Sequence, residues 1–225
     1  MASVLNMLGQ HEQAYKLIMG RKFHPWEGGE GKVTGQYTAA LVEMAKERIR
    51  KADCGQALQL LQQALCYPEN LGEGKLEGTK DNHIHYYLGC VYEMLGEEEK
   101  AKESFLTASV GNDEPAGMMY YNDQPADMIL YQGLAKRKLS RQAEANARFY
   151  RLIDYGEQHI GDKVKMDYFA VSLPDFLIFE ENLTNRNRAH CFYLLALGYY
   201  GLGDIDRALG YLDEALKLDP SHMQC

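Results

Sequence analysis

An alanine recurs through this chain in the same local setting at Ala14, Ala57, Ala101, Ala145 and Ala208. The first four are separated by 43, 44 and 44 residues, and the last by 63. Recurrence at a fixed period constrains a fold more than any single motif, because it implies one supersecondary unit stacked repeatedly. The clearest unit runs from Ala189 to Pro220. Phe192, Leu195, Ala196 and Tyr199 recur at steps of three and four, which makes one helix face. Gly201 to Asp204 breaks that helix, and Asp204 is placed to cap the next. The second helix carries Ala208, Leu212 and Ala215 on one side, and Pro220 ends the unit by biasing Asp219 out of helical geometry.

At Ala196, Ala208 and Ala215 the unit resembles the tetratricopeptide repeat (TPR) family, which places small residues at these crossings of two antiparallel helices. The physical need is close approach: nested helices leave no room for a large side chain where they cross. The same template fits Asn82 to Asp113, through Leu88, Gly89, Tyr92, Gly96, Ala101, Phe105 and Ala108. It fits Ala126 to Glu157 through Gly133, Ala145, Phe149 and Leu152, with Lys136 at the usual tyrosine position. It fits Thr38 to Glu69 through Met44, Ala45, Ala57, Leu61 and Ala64, with Ala52 where glycine is commoner. Leu8, Gly9, Ala14 and Ile18 supply a half repeat at the front. The expected fold is all-α, a right-handed TPR-like solenoid forming a single domain over 1–225, with a partial repeat at 1–20 and repeats starting near 38, 82, 126 and 189. Unless Met1 to Leu8 compensates, the leading half repeat lacks a first-helix partner, and repeat arrays need capped ends, so the chain is read as a C-terminal portion of a longer protein, with a lone capping helix as the alternative.

A plain TPR unit is about 34 residues long, so each unit carries extra material between its second helix and the next first helix. Pro25 to Lys32 and Pro68 to Lys75 share the pattern P-x-x-x-G-E-G-K. Their glycines permit left-handed turns, and we read both segments as turns bracing successive repeats, with an anion cradle as the alternative. The G-x-x-x-x-G-K-[ST] spacing of a phosphate loop is absent. The third insert, 111–125, mixes Tyr120 and Tyr121 with acids and amides, a composition for packing on the helices or for stacking on a sugar ring. The fourth, about 158–187, pairs a short helical pattern at Val164, Tyr168 and Val171 with the apolar run Phe176 to Phe179, expected to fold back on the array.

A formal charge of -8 without clustered bases gives nucleic acid no purchase. No apolar run approaches the roughly 20 residues that span a bilayer. Five cysteines without a C-x-x-C pair fit a reducing compartment, and the expected location is cytoplasmic. His83 and His85 lie two apart and match no zinc spacing, so neither metal nor cofactor is expected. No G-x-S-x-G elbow occurs, and no catalytic residue is assigned.

In the TPR family the first helices line a binding surface. Carried onto this chain, the resemblance nominates Lys46, His83, Tyr86, Asp127, Leu130, Arg137, His190, Tyr193 and Tyr200, to which the inserts add Trp26, Tyr120 and Tyr121. The loop words at Asn82 to Tyr87, Gly111 to Pro125 and Val171 to Glu180 resemble the C-terminal repeat region of a bacterial family. That family joins TPR units to an N-terminal domain of unknown function linked to carbohydrate processing. The resemblance implies a non-catalytic interaction or domain-docking scaffold, with a protein or its own N-terminal domain as partner and self-association as a further mode. A carbohydrate-binding accessory module is the alternative reading, and a glycoside-processing enzyme the third.

Overall fold

A computed structural model describes residues 1–26, 29–117, 124–164 and 182–222. Tyr120, Tyr121, Tyr168 and the Phe176 to Phe179 run lie outside the described residues. Among those described there is no strand. The helices are α1 (Ala2–Met7), α2 (His11–Met19), α3 (Lys32–Arg50), α4 (Cys54–Ala64), α5 (Asn82–Met94), α6 (Glu98–Ala108), α7 (Ala126–Lys138), α8 (Gln142–His159), α9 (Leu183–Leu202) and α10 (Ile205–Leu218). No helix is long and apolar enough to cross a membrane among the described residues. The chain divides into two compact units, Met1–Ser104 and Phe105–Cys225.

Five tight helix-to-helix turns share one backbone state. Gly9, Ala52, Gly96, Ser140 and Gly203 all have positive φ, between 56° and 87°. Ala52 and Ser140 adopt at some steric cost what glycine adopts freely, so the turn's geometry persists where its residue changes. At three helix starts an aspartate or asparagine side chain closes the first turn. Asp53 and Asp204 accept hydrogen bonds from the amides of Gln56 and Arg207 as N-caps of α4 and α10, and Asn182 caps α9 through Asn185. Each satisfies an amide that the first helical turn otherwise leaves without a partner.

In the first unit α2 packs on α3, α3 on α4 and α4 on α5. Ala14, Ala57 and Ala64 are fully buried at these crossings, beside Ile18, Leu41, Leu61 and Ile84. The two Pro…Lys segments lie against one another and brace the repeats. The Phe23 amide donates to the Asn70 carbonyl at 2.7 Å, and the Asn70 side chain donates to the carbonyls of Ile18 and Arg21. The Gly31 amide donates to the Glu73 carboxylate at 2.9 Å. Gly72 has φ +78, and a Cβ there would sit 2.6 Å from the Phe23 carbonyl oxygen, so the close approach of the two segments requires glycine. Gly31, at φ +76, starts α3 at Lys32.

In the second unit α8 packs on α7 and α9, and α9 on α10. The core gathers around Phe149 with Ile129, Leu130, Leu152, Tyr193 and Leu194. Gly133 of α7 and Gly201 of α9 flank the Phe149 ring so tightly that a Cβ at either would overlap it. The Arg137 guanidinium lies 5.0 Å from the ring centroid and donates to the Gly201 carbonyl. A Cβ at Gly198 would stand 2.8 Å from the Phe149 carbonyl oxygen, so α8 and α9 approach at backbone distance.

Candidate functional site

Two adjacent first helices, α3 and α5, bring together Lys46, His83 and Tyr86 of the nominated residues. Lys46 of α3 pairs with Glu43 at 2.6 Å and holds its ammonium 6.0 Å from the centre of the Tyr87 ring. Tyr86 meets Tyr87 edge-on, with centroids 5.4 Å apart. His83 stands one turn earlier on α5, close enough to Lys46 to feel its charge. Tyr87 is not among the residues the sequence nominates, because it falls beside rather than on the repeat position that usually faces the partner. The interleaving of Lys and Tyr across two helices is the signal for it, and that signal appears only once the helices are adjacent.

Burial, then the Lys75, His85 and Lys46 charges, lower the His83 pKa to about 4. His85 is lowered for the same first reason. Lys75 itself is held by the Leu65 carbonyl at 3.0 Å and the Asp81 carboxylate at 2.6 Å, with its ammonium 5.2 Å from the Tyr67 ring centroid. Its role is therefore to tie the end of α4 to the start of α5, which consumes the charge an anion cradle would need.

In the second unit the nominated residues are largely engaged in packing. Leu130 and Tyr193 lie inside the core cluster, because α7 and α9 contact each other directly and the facing positions are used up there. His190 pairs its Nε2 with the Ala116 carbonyl oxygen at 2.9 Å and stands edge-on to Tyr155. Arg137 is committed to the Phe149 ring and the Gly201 carbonyl. Tyr200 is exposed, and so is Trp26, which has 48% of its surface in solvent. Asp127 sits in the first turn of α7 with Oδ1 buried and without a hydrogen-bond partner. Burial raises its pKa to about 6, partly opposed by the amides of Asp127 and Met128. Among the described residues no group of three His, Cys, Asp or Glu is placed to hold a metal ion.

The His83 and Asp127 shifts have opposite consequences for stability. His83 binds its proton more weakly folded than unfolded, so its contribution is complete above pH 6.5 and is lost as pH falls toward 4. Asp127 binds its proton more tightly folded, so its contribution is complete below 3.8 and is lost as pH rises through 6. Each shift corresponds to at most about 3 kcal/mol. Thermal melts between about pH 4 and 7 are expected to show His83→Gln losing less stability on acidification than the parent, and Asp127→Asn losing more. Parallel profiles for all three proteins would reject both assignments.

A family model described as Fis1 C-terminal tetratricopeptide repeat matches residues 189–225, which take in most of α9 and all of α10. The fold is all-α and TPR-like. Among solved structures, MamA is 15% identical, covering 100% of this chain and 98% of that one, with a TM-score of 0.32. BtubC (BKLC) from P. vanneervenii is 16% identical over 97% of this chain and 90% of that one, with a TM-score of 0.38. YrrB, described as a TPR protein with an unusual peptide-binding site, is 18% identical over 82% of this chain and 88% of that one, with a TM-score of 0.29.

Proposed function

We propose that this chain is a non-catalytic protein-interaction scaffold that receives a partner segment along the α3–α5 face. The observation that supports the reading most directly is the joining of Lys46, His83, Tyr86 and Tyr87 on two neighbouring first helices. Tyrosine rings supply apolar area with a polar tip, the combination that dominates protein-binding hot spots. His83 is neutral near pH 7 and brings hydrogen-bonding capacity without a second charge. The repeat frame beneath is rigidly braced, so little ordering accompanies binding. In the longer protein that the family resemblance implies, the chain's own N-terminal domain is the first partner to test.

A photo-crosslinking phenylalanine analogue at position 86 would capture the partner in cells, with the same analogue at exposed Tyr150 as control. The captured protein, purified, is then titrated against wild type, Tyr86→Ala and Lys46→Ala. Loss of a hot-spot tyrosine weakens such complexes about tenfold or more. Capture from position 150 alone, or equal affinity of all three proteins, rejects the α3–α5 face.

Carbohydrate recognition is a second reading, supported by the exposed indole of Trp26, since exposed aromatic rings stack on sugar faces. A glycan array with wild type and Trp26→Ala tests it. Absence of any bound glycan, or binding that survives the substitution, discards it.

A further inference from the structure

The start of the third insert is held to the second unit in the manner of a bound peptide. Residues 112–116 reach side chains on three helices. The Asn112 carbonyl accepts from Gln132 Nε2 of α7 at 3.0 Å and from Gln124 Nε2 at 2.6 Å. The Asp113 carboxylate meets Arg148 of α8 at 2.6 Å, and Glu114 meets Arg151 of the same helix at 3.5 Å. The Ala116 carbonyl accepts from His190 Nε2 of α9 at 2.9 Å.

The holding groups and the held segment differ in burial. Gln132 is fully buried and the Arg148 side chain is 20% exposed, whereas no residue from Gly111 to Gly117 is buried. A loop that braced the helices through apolar packing would sink a large side chain between them. This one offers only Pro115 and Ala116, both half-buried. Its attachment rests instead on carbonyls read by side-chain donors and on two adjacent carboxylates read by two arginines. Carbonyl contacts tolerate any sequence, while Arg148 and Arg151, neighbours on one helix face, select adjacent acids. Segments with few buried apolar contacts open locally at a fraction of the global unfolding free energy. The segment is therefore poised to leave, and the donors beneath it are built into the helices.

We propose that Gln132, Arg148, Arg151 and His190 form a binding site for an extended acidic segment of a partner protein, occupied in cis by residues 112–116 until such a segment displaces them. Because α6 and α7 hold the insert at both ends, the resident segment competes at an effective concentration in the millimolar range. A partner gains the site by making further contacts beyond those four side chains. This site lies in the second unit and is independent of the reading built on the α3–α5 face.

Calorimetric titration of the full chain with a capped peptide of residues 111–117, up to about 1 mM, tests the proposal. Wild type is compared with the double variant Asp113→Asn, Glu114→Gln, which weakens the resident segment and leaves the four holding side chains intact. The double variant is expected to bind the peptide at least about tenfold more tightly, since cis occupancy lowers apparent affinity by the fraction of chains that are open. The same peptide carrying Asp113→Asn and Glu114→Gln is expected not to bind. Arg151→Gln added to the double variant is expected to weaken peptide binding about threefold, as loss of an exposed ion pair does. Circular dichroism confirms the fold. Glu114→Gln alone, at an exposed residue, replaces the double variant if helix content falls, with the same direction expected. Equal affinity of wild type and variant overturns the proposal by removing the cis competition. No binding by the variant up to about 1 mM, or equal binding of the uncharged peptide, overturns it by removing the acidic-segment site. None of these substitutions touches Lys46, Tyr86 or Tyr87, so partner binding at α3–α5 stands or falls separately.

Discussion

Phe149→Ala is expected to destabilise the second unit by about 3–5 kcal/mol, the range for removing a fully buried phenylalanine. The upper half of that range applies, because the cavity cannot collapse. Its walls at Gly133 and Gly201 have no side chains to move inward, and α8 and α9 already touch at backbone distance through Gly198. The guanidinium of Arg137 would lose the ring beneath it as well. Urea unfolding followed by far-UV circular dichroism measures the loss. Tyr150→Ala, next in sequence but exposed, serves as the control and should change stability by no more than about 0.5 kcal/mol. The slot also predicts a coupling. Gly201→Ala alone forces a methyl into the ring and should destabilise, whereas in the Phe149→Ala background the same methyl enters empty space and should cost little or recover some stability. A Phe149→Ala loss below about 1.5 kcal/mol, or strict additivity of the two changes, would mean that the ring does not organise this core.

The small residues that reveal the repeat in the sequence are the ones whose absence of bulk the packing uses. Ala57, Ala101, Ala145 and Ala208 are buried at helix crossings, and the turn before each holds a residue of positive φ at Ala52, Gly96, Ser140 and Gly203. These features are legible because crossing distance and turn handedness act on residues near in sequence. Surface assignments are less so. Whether Leu130 or Tyr193 faces a partner or a neighbouring helix depends on how closely α7 and α9 approach, and glycines on α8 and α9 as well as α7 decide that distance together. Lys75 can be seen as a cation following two glycines, but its acceptors Leu65 and Asp81 become evident only when the loop closes. Gln132 offers no signal at all: an amide within an otherwise apolar helix face has meaning only through the partners folding brings to it.

Those partners make Gln132 the centre of the second large effect. Its side chain is fully buried. Its Nε2 donates to the Asn112 carbonyl at 3.0 Å and to Gln124 Oε1 at 3.3 Å, and Gln124 Nε2 donates to the same Asn112 carbonyl at 2.6 Å. Arg148 of α8 completes the group, donating from Nε to Gln132 Oε1 at 3.1 Å and from Nη1 to the Asp113 carboxylate at 2.6 Å. Gly111 lets the backbone enter this space, since a Cβ there would lie 2.6 Å from Gln132 Nε2. The network thus fixes the start of the third insert to α7 and α8. Arg148→Met keeps most of the aliphatic stem but leaves Gln132 Oε1 buried without a donor and Asp113 without its cation. A buried acceptor left unsatisfied costs about 1–3 kcal/mol. The Arg148–Asp113 pair adds less than a fully buried pair would, because both side chains are partly exposed and solvent screens them. A total of about 2–3 kcal/mol is expected. Adding Gln132→Leu to Arg148→Met removes the stranded Gln132 acceptor but strands Gln124 Oε1 in its place, so it should return little of that loss. Limited proteolysis supplies a second readout. If the network anchors the insert, Arg148→Met should speed cleavage within residues 111–117 before global unfolding begins. Unchanged cleavage there, with a stability change below about 0.5 kcal/mol, would show that the insert is held by something other than this network.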